Sequence, residues 1–439
     1  MPTALVLNLP EHGHMNATFP LVAELVARGE RVVYLATEPW RGRVEAAGAV
    51  FAAYEADAAL FDPPAHRGGL YSVMAYLIGV AEQVMSDVLR HIEREKPDYL
   101  LVDSMCVWGR LAQQITGLPA VTLGSVFVPN DAHVTMDDMV RQAYGQTPRE
   151  VLLAGVDALN TYLRISQRID HRYGTISPSI VEFFANRQKL NVSFTSRYFH
   201  LAGDSYDDSY LFVGPSVAPR ADETGTPGTF ALPEGDQPLM YVSLGTIFNE
   251  QLPFFRAAIE ALADGPWRVV MSIGNRIDRA AIWPHADRPF PRNIAIHEFV
   301  PQLEVLAKAS LCITHGGMNT TSEALWHGVP LLVFPQHGDQ HLVAARVVEL
   351  GAGLRLIPPD IEPSRLHALV SQVLGEPSFK QHAGRIASSF HAAGGARRAV
   401  DGILAFIASQ TTAGHGAGHT SGHITAGQVA GQVAVGLAS

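Results

Sequence analysis

Apolar runs of strand length alternate with segments of helical periodicity along the first part of the chain. Ala4–Leu9 is an apolar run, Thr18–Arg28 carries apolar residues at helical spacing, and Arg31–Ala36 is a second apolar run. The same order recurs between Tyr99 and Leu123. Continuous apolar runs separated by helices are typical of parallel strands buried on both faces. The pattern predicts an α/β domain with a parallel sheet.

The pattern stops in a stretch rich in proline and glycine, residues 214–238, and then starts again. Further strands are predicted at Leu239–Ser243, Arg268–Ile273, Ile294–His297, Leu311–Thr314 and Pro330–Phe334. We therefore predict an α/β protein with two Rossmann-like domains facing a cleft. The predicted parts are a first domain 1–213, a linker 214–238, a second domain 239–395, a helix 396–410 and a tail 411–439.

Composition narrows the class of protein. Apolar residues make up 47% of the 439 residues and charged residues 17%, which indicates a large packed core. The net charge is −10, and the longest run of basic residues is the pair Arg397–Arg398, which argues against a nucleic-acid partner. Two distant cysteines, Cys106 and Cys312, fit a reducing cytoplasm. We expect no membrane span. We also expect a monomer or a weak homodimer.

The tail 411–439 consists almost entirely of Gly, Ala, Ser, Thr, Val, His and Gln. His415, His419 and His423 have helical spacing, but the glycines between them cost about 1 kcal/mol each in a helix. We predict a disordered tail, with a metal-binding tail as the alternative.

Residues 315–320 predict an anion site. A strand that ends at Thr314 is followed by His315, two glycines, Met318, Asn319 and Thr320, and then by a helix. Glycines allow close approach to backbone amides, and the N-terminus of a helix attracts a negative charge. The segment lacks the lysine of a nucleotide-hydrolysing phosphate loop. A plain turn is the alternative that these residues leave open.

Four blocks in order extend this signal: Phe299-Val300-Pro301-Gln302, the stretch from His315 to Glu323, Gly328-Val329-Pro330, and Pro335-Gln336-His337-Gly338-Asp339-Gln340. Together they resemble the donor-binding signature of the UDP-dependent inverting glycosyltransferases, with the bacterial macrolide enzymes as the nearest subgroup. The resemblance implies a GT-B fold in which the domain 1–213 binds the acceptor, the domain 239–395 binds the UDP-sugar co-substrate, and the helix 396–410 crosses back to the first domain. It implies no separate cofactor.

The resemblance assigns roles by position. It implies that Phe299 stacks on the uracil, at a position where the family usually has Trp. It implies that Gln302 contacts the base or ribose, that Glu323 contacts the ribose, and that Asp339 and Gln340 contact the sugar. The residues that it implies at the diphosphate are Thr246, His315, Gly317, Asn319 and Thr320. Asp-x-Asp, the pair with which metal-dependent transferases hold a cation, does not occur in the chain. We therefore expect no metal in the reaction.

The catalytic base is expected at a second strand end. His14 follows the first strand, and in the resembling family the histidine of this Gly-His pair is the general base. A neutral imidazole accepts a proton readily near pH 7. Asp103 ends another predicted strand and matches the family's partner acid, although it could instead cap the helix that follows.

The acceptor is expected to be a hydrophobic natural product such as a polyketide or macrolide. Apolar residues predicted to line its pocket are Phe61, Tyr71, Met74, Phe127 and Met136. Two other functions remain open at this point: a sugar-nucleotide epimerase of the same architecture, and a catalytically silent sugar-nucleotide-binding protein.

Overall fold

The computed structural model describes residues 1–62, 69–129, 147–218, 230–245, 250–283, 285 and 287–416. These residues form two parallel β-sheets, each covered by helices. The prediction of two parallel-sheet α/β domains is confirmed.

The first sheet has seven strands in the order β3-β2-β1-β4-β5-β6-β7, all parallel. Its strands are β1 Thr3–Leu7, β2 Arg31–Ala36, β3 Val50–Ala53, β4 Tyr99–Asp103, β5 Ala120–Gly124, β6 Leu190–Ser193 and β7 Tyr210–Phe212. The chain order changes direction beside β1, so a crevice opens between the carboxyl ends of β1 and β4.

The second sheet has six parallel strands in the order β10-β9-β8-β11-β12-β13. Its strands are β8 Leu239–Ser243, β9 Arg268–Ser272, β10 Ile294–His297, β11 Ala309–Thr314, β12 Leu331–Val333 and β13 Gly353–Arg355. The order again changes direction, here between β8 and β11, which places Ser243 and Thr314 at the corresponding crevice.

The helices of the N-terminal half are α1 His12–Ala27, α2 Arg41–Ala46, α3 Gly69–Glu95, α4 Val107–Thr116, α5 Pro148–Ala154, α6 Val156–Tyr173 and α7 Ile180–Ala185. Those of the C-terminal half are α8 Leu252–Leu262, α9 Arg279–Ile282, α10 Gln302–Leu306, α11 Met318–Trp326, α12 Asp339–Glu349, α13 Pro363–Gly375, α14 Pro377–Ala392 and α15 Gly395–Gly416.

The long helix α3 is the one described helix that is long and apolar enough to cross a bilayer, with a mean hydropathy of 1.2 over its most apolar window. Half of that window is buried inside the protein, and Met74, Ile78 and Val84 have no exposed surface. The helix packs on α4 and α6, so it serves as a core helix of the N-terminal sheet.

Predicted and observed elements differ mainly at their ends. The helix α1 begins at His12, six residues before the helical spacing that starts at Thr18. Four short strands were not predicted, because a run of three or four residues carries little periodicity. They are β3, β6, β7 and β13.

The last described helix joins the end of the chain to its beginning. In α15, Ala399, Val400 and Ile403 are buried in the same core cluster as Leu21 and Leu25 of α1. This helix reaches Gly416, six residues beyond the predicted boundary at 410. Residues 417–439 of the predicted tail lie outside the described residues.

Candidate active site

Three side chains meet at the carboxyl ends of the neighbouring strands β1, β4 and β5. His14 lies in the first turn of α1, Asp103 is the last residue of β4, and Ser125 follows β5 directly. The His14 Nδ1 atom lies 2.9 Å from Asp103 Oδ2 and 2.9 Å from Ser125 Oγ. Residues 89 and 111 positions away in sequence are therefore brought onto one imidazole nitrogen.

The surroundings of Asp103 orient this contact. The carboxylate is 1% exposed, and its Oδ1 atom accepts a hydrogen bond of 2.8 Å from the Met105 backbone N–H. The other oxygen, Oδ2, is directed at His14. A carboxylate that accepts from Nδ1–H selects the imidazole tautomer whose lone pair is on Nε2, which is the form needed to take a proton.

A buried polar network supports the first turns of α1. The Asn8 Nδ2 atom donates to the Tyr34 hydroxyl at 2.7 Å, and the Tyr34 hydroxyl lies 2.7 Å from Thr18 Oγ1. Asn8 also donates to the His14 carbonyl at 3.4 Å. Burial raises the pKa of Tyr34, so its hydroxyl stays neutral and the network holds α1 without adding charge.

His315 lies between two glycines at the crevice of the second sheet. A Cβ atom at Gly317 would lie 2.4 Å from His315 Nε2, and one at Gly245 would lie 2.6 Å from its Cε1, so any larger residue would displace the ring. Desolvation lowers the pKa of His315 to about 4. The ring is therefore neutral at pH 7, and it can donate one hydrogen bond beside the N-terminus of α11.

Gln302 and Glu323 form one unit. The Gln302 Nε2 atom donates to Glu323 Oε2 at 2.5 Å, and its Oε1 accepts from the Tyr241 hydroxyl at 2.9 Å. Glu323 is 2% exposed, and Thr320, on the same helix, lies 3.4 Å from Gln302 Nε2. The amide therefore holds the carboxylate in place, and both of its own polar atoms have partners within the protein.

The remaining predicted donor residues occupy different settings. The side chain of Phe299 is 58% exposed, as a platform for a flat ring must be. Asp339 is exposed at the start of α12, whereas Gln340 is buried and its Oε1 accepts from the backbone N–H groups of Gln336 and His337. The buried Gln340 side chain thus holds the backbone of Gln336 and His337 in place. Thr246 lies outside the described residues.

The two halves of the site meet across the cleft. The Asn319 Nδ2 atom donates a hydrogen bond of 3.1 Å to the carbonyl of Gly13, the neighbour of His14. A small open recess lies between the domains. Its lining comes from both domains and from the chain that joins them: Ala17, Ser125, Phe194, Pro215, Ser216, Val217, Met318, Asn319, Ser322 and Glu323.

Known proteins share this chain's sequence and fold. Residues 280–401 match the family model of the erythromycin biosynthesis protein CIII-like C-terminal domain. The chain is 35% identical to the NDP-glycosyltransferase YjiC of Bacillus licheniformis, an alignment that covers 92% of this chain and 97% of the relative. This chain belongs to the nucleotide-sugar glycosyltransferase family.

Two further relatives agree with the assignment. The demethyllactenocin mycarosyltransferase of Streptomyces fradiae is 30% identical, with 90% of this chain and 84% of the relative covered. The crystal structure of CalG4, the calicheamicin glycosyltransferase, matches with a TM-score of 0.76 and 29% identity, covering 93% of this chain and 98% of that chain. The fold of this glycosyltransferase is accordingly GT-B.

The residues of the glycosyltransferase that were predicted to line an acceptor pocket are buried where the structure describes them. Phe61 packs on Tyr54 in the N-terminal core, Met74 has no exposed surface, and Tyr71 is 9% exposed. Phe127 is buried in the core of the C-terminal domain, against Phe199. Apolar spacing in a helix does not separate a pocket wall from a core, because both need the same residue types. Met136 lies outside the described residues.

Sequence reasoning missed Ser125. The rule that located His14 and Asp103, a polar residue at the carboxyl end of a parallel strand, applies equally to the residue after β5. Serine follows many strands as a simple turn residue, so the rule alone did not single it out.

Proposed function

We propose that this glycosyltransferase transfers glucose from UDP-glucose to a hydroxyl group of a hydrophobic natural product, with inversion at the anomeric carbon and without a metal ion. The observation that carries the proposal is the 2.9 Å contact between His14 Nδ1 and Asp103 Oδ2, at a cleft whose other wall is the N-terminus of α11. A base on one side and an anion site on the other suit a single in-line displacement.

In the proposed reaction the acceptor hydroxyl transfers its proton to His14 Nε2 as its oxygen bonds to the anomeric carbon. The bond from that carbon to the phosphate oxygen breaks at the same time, and UDP leaves from the opposite face. Asp103 stabilises the imidazolium that forms, as the acid of a serine triad does. An α-linked donor then gives a β-glycoside, and no covalent sugar–enzyme intermediate arises.

Uncharged hydrogen-bond donors would stabilise the negative charge of the leaving UDP. Helix α11 directs its first backbone N–H groups at the cleft, and Asn319 and Thr320 lie in its first turn. His315, neutral because desolvation lowers its pKa to about 4, adds one N–H. Oriented donors in a water-poor cleft stabilise a developing negative charge strongly. This set supports a mechanism in which no divalent cation is needed.

The substrates are proposed from two sources. The carboxylate of Asp339, exposed at the start of α12, suits vicinal hydroxyls of an unmodified hexose, which favours glucose over a deoxy-sugar. The printed names of relatives, which include an oleandomycin glycosyltransferase from Streptomyces antibioticus, support a macrolide or related acceptor. Both thiols, Cys106 and Cys312, are free and buried, which supports a reducing cytoplasm as the setting.

The test is incubation with UDP-glucose, with and without a panel of polyketide, macrolide and phenolic acceptors, while free UDP is measured. We expect UDP release that depends on the acceptor, a β-configured product by NMR, and unchanged turnover in excess EDTA. Conversion of the donor without an acceptor would indicate an epimerase, and binding without any turnover would indicate a silent sugar-nucleotide-binding protein. Loss of activity on chelation, restored by magnesium, would overturn the metal-free mechanism.

A further inference from the structure

The imidazole of His14 has two polar neighbours on the same nitrogen. Nδ1 lies 2.9 Å from Asp103 Oδ2 and 2.9 Å from Ser125 Oγ, whereas this nitrogen carries at most one hydrogen. Ser125 is 6% exposed and follows the buried strand β5, so its position is determined by the sheet rather than by solvent. The contact between Ser125 Oγ and the His14 ring can therefore affect how the ring binds a proton.

The hydrogen-bond chemistry leaves two arrangements. If Ser125 donates its hydroxyl hydrogen to Nδ1, the ring must carry its proton on Nε2 and cannot accept a proton from a substrate there. If Ser125 accepts, the single Nδ1–H is shared between the serine and the carboxylate, and Nε2 keeps its lone pair. The ionised Asp103 is the stronger acceptor and favours the second arrangement.

We propose that Ser125 is a positioning residue that acts through His14, sharing the Nδ1 proton with Asp103 and stabilising the imidazolium formed in the transfer. The proposal rests on the function proposed above. Sharing holds the ring from two directions, from β4 and from β5, and so fixes the direction of Nε2. The hydroxyl hydrogen of Ser125 is then directed away from the ring, and Ser125 lines the recess that Asn319 lines from the other domain.

The titratable groups near the His14 ring do not replace Ser125 as a second acceptor for Nδ1–H. Tyr34 and Cys106 lie near Asp103, but burial raises the pKa of each, so both remain neutral during the reaction. Across the recess the acidic side chain is that of Glu323, which accepts a hydrogen bond from Gln302. The titratable groups around His14 are therefore Asp103 on β4, Glu323 on α11, Tyr34 on β2, Cys106 before α4, and Glu11 and His12 at its own helix end.

The decisive variants are Ser125→Ala, which removes the hydroxyl, and Ser125→Thr, which keeps it. Ser104→Ala is the matched control: this serine lies at the same sheet edge, is 1% exposed, and its Oγ has no hydrogen-bond partner among the described residues. Loss of one acceptor on the imidazolium should lower the apparent pKa of the base in the kcat/KM profile by about 0.5–1 unit. We expect kcat to fall about 3–10-fold with an unchanged donor KM, and we expect Ser125→Thr to restore the profile.

A second readout needs no turnover. In protein labelled with ¹⁵N-histidine, with the His14 signals assigned by their loss in His14→Gln, the nitrogen shifts report the tautomer and the pKa of the ring directly. Ser125→Ala should lower that pKa, whereas Ser104→Ala should leave it unchanged. If the shifts move as expected while no acceptor is glycosylated, the proposed function fails and the role of Ser125 stands.

Three outcomes would overturn the role of Ser125. Unchanged His14 shifts in Ser125→Ala would show that the serine does not act on the ring. A higher acceptor KM with an unchanged pH profile would make Ser125 a substrate contact. If Ser125→Ala fails to fold, Ser125→Thr and Ser125→Cys are titrated instead, and identical His14 pKa values in wild type and Ser125→Cys would count against the proposal.

Discussion

Asn319 bonds to the backbone beside His14: its Nδ2 atom donates to the Gly13 carbonyl at 3.1 Å. Asn319 belongs to the first turn of α11 in the C-terminal domain, and Gly13 to the first turn of α1 in the N-terminal domain. The amide has a second hydrogen, so Asn319 can donate to a donor phosphate while it holds Gly13. One side chain then sets the spacing between the base and the leaving group.

Replacing Asn319 should therefore affect both substrates. Asn319→Ala loses a charge-assisted hydrogen bond worth about 1.5–3 kcal/mol, so we expect kcat/KM to fall at least 10-fold and UDP to bind more weakly. Asn319→Asp should be worse, because it places a carboxylate beside a diphosphate. Calorimetric titration with UDP and steady-state kinetics measure the two effects, and the exposed Asn160→Ala on α6 is the control. Wild-type affinity for UDP in Asn319→Asp would contradict the assignment.

The general base can be tested by separating chemistry from donor binding. His14→Ala should reduce the rate by about 10²–10⁴-fold, the usual effect of losing a positioned base. UDP should bind almost as in the wild type, because its site lies in the other domain. Asp103→Asn should cost less for a phenol than for an aliphatic alcohol, since a phenol loses its proton more readily. A His14→Ala enzyme that glycosylates an aliphatic alcohol at the wild-type rate would exclude this mechanism.

The choice of donor should depend on Asp339. Asp339→Ala removes a charged acceptor for sugar hydroxyls and should cost about 1.5–3 kcal/mol with UDP-glucose. A dideoxy-sugar donor lacks these hydroxyls, so its kcat/KM should be nearly the same in the variant as in the wild type. Competition experiments with both donors give the ratio of kcat/KM values directly. Equal turnover of the two donors by the wild type would show that Asp339 does not select glucose.

Stability should fall in mild acid because two histidines are desolvated in the folded protein. Desolvation lowers the pKa values of His200 and His315 to about 4, from 6.5 in an unfolded chain. Between these values the unfolded state binds more protons than the folded state, so the free energy of unfolding decreases as the pH falls from about 6.5 to 4. His200 alone, fully buried, contributes on the order of 3 kcal/mol at the acid end.

The melting temperature as a function of pH measures this effect. His200 accepts from the Val128 N–H at 3.1 Å and contacts the Leu201 carbonyl at 2.8 Å, and an uncharged glutamine can in part replace both bonds. We expect His200→Gln to be less stable at pH 7 but to lose less stability between pH 6.5 and 4. A pH dependence as steep as that of the wild type would show that His200 does not cause it.

The C-terminal helix should be essential and the segment after it dispensable. Truncation after Gly416 should leave the melting temperature and turnover unchanged, because residues 417–439 lack apolar periodicity. Truncation before Gly395 removes Val400 and Ile403 from the N-terminal core, which costs about 1.5–3 kcal/mol for each side chain. Expression and thermal melting distinguish the two truncations. A large drop in melting temperature on removing 417–439 alone would contradict the first expectation.

Local sequence patterns were sufficient for most of the fold. The strands Leu239–Ser243 and Ile294–His297 have the predicted bounds, because an apolar run is a property of the segment itself. The strand-end positions of His14 and Asp103 follow from the same patterns, since parallel strands carry their functional residues at the carboxyl ends. The four motif blocks between Phe299 and Gln340 identified the family without any coordinates.

Tertiary structure alone decided which of these residues touch. Ser125 reaches His14 because β4 and β5 are neighbours in the sheet, and Asn319 reaches Gly13 because two domains close on each other; neither contact is visible in the local sequence. The same limit applies to Met74, whose apolar side chain could be read from the sequence but whose complete burial could not. A side chain's apolar character is local, whereas its exposure depends on what the rest of the chain packs against it.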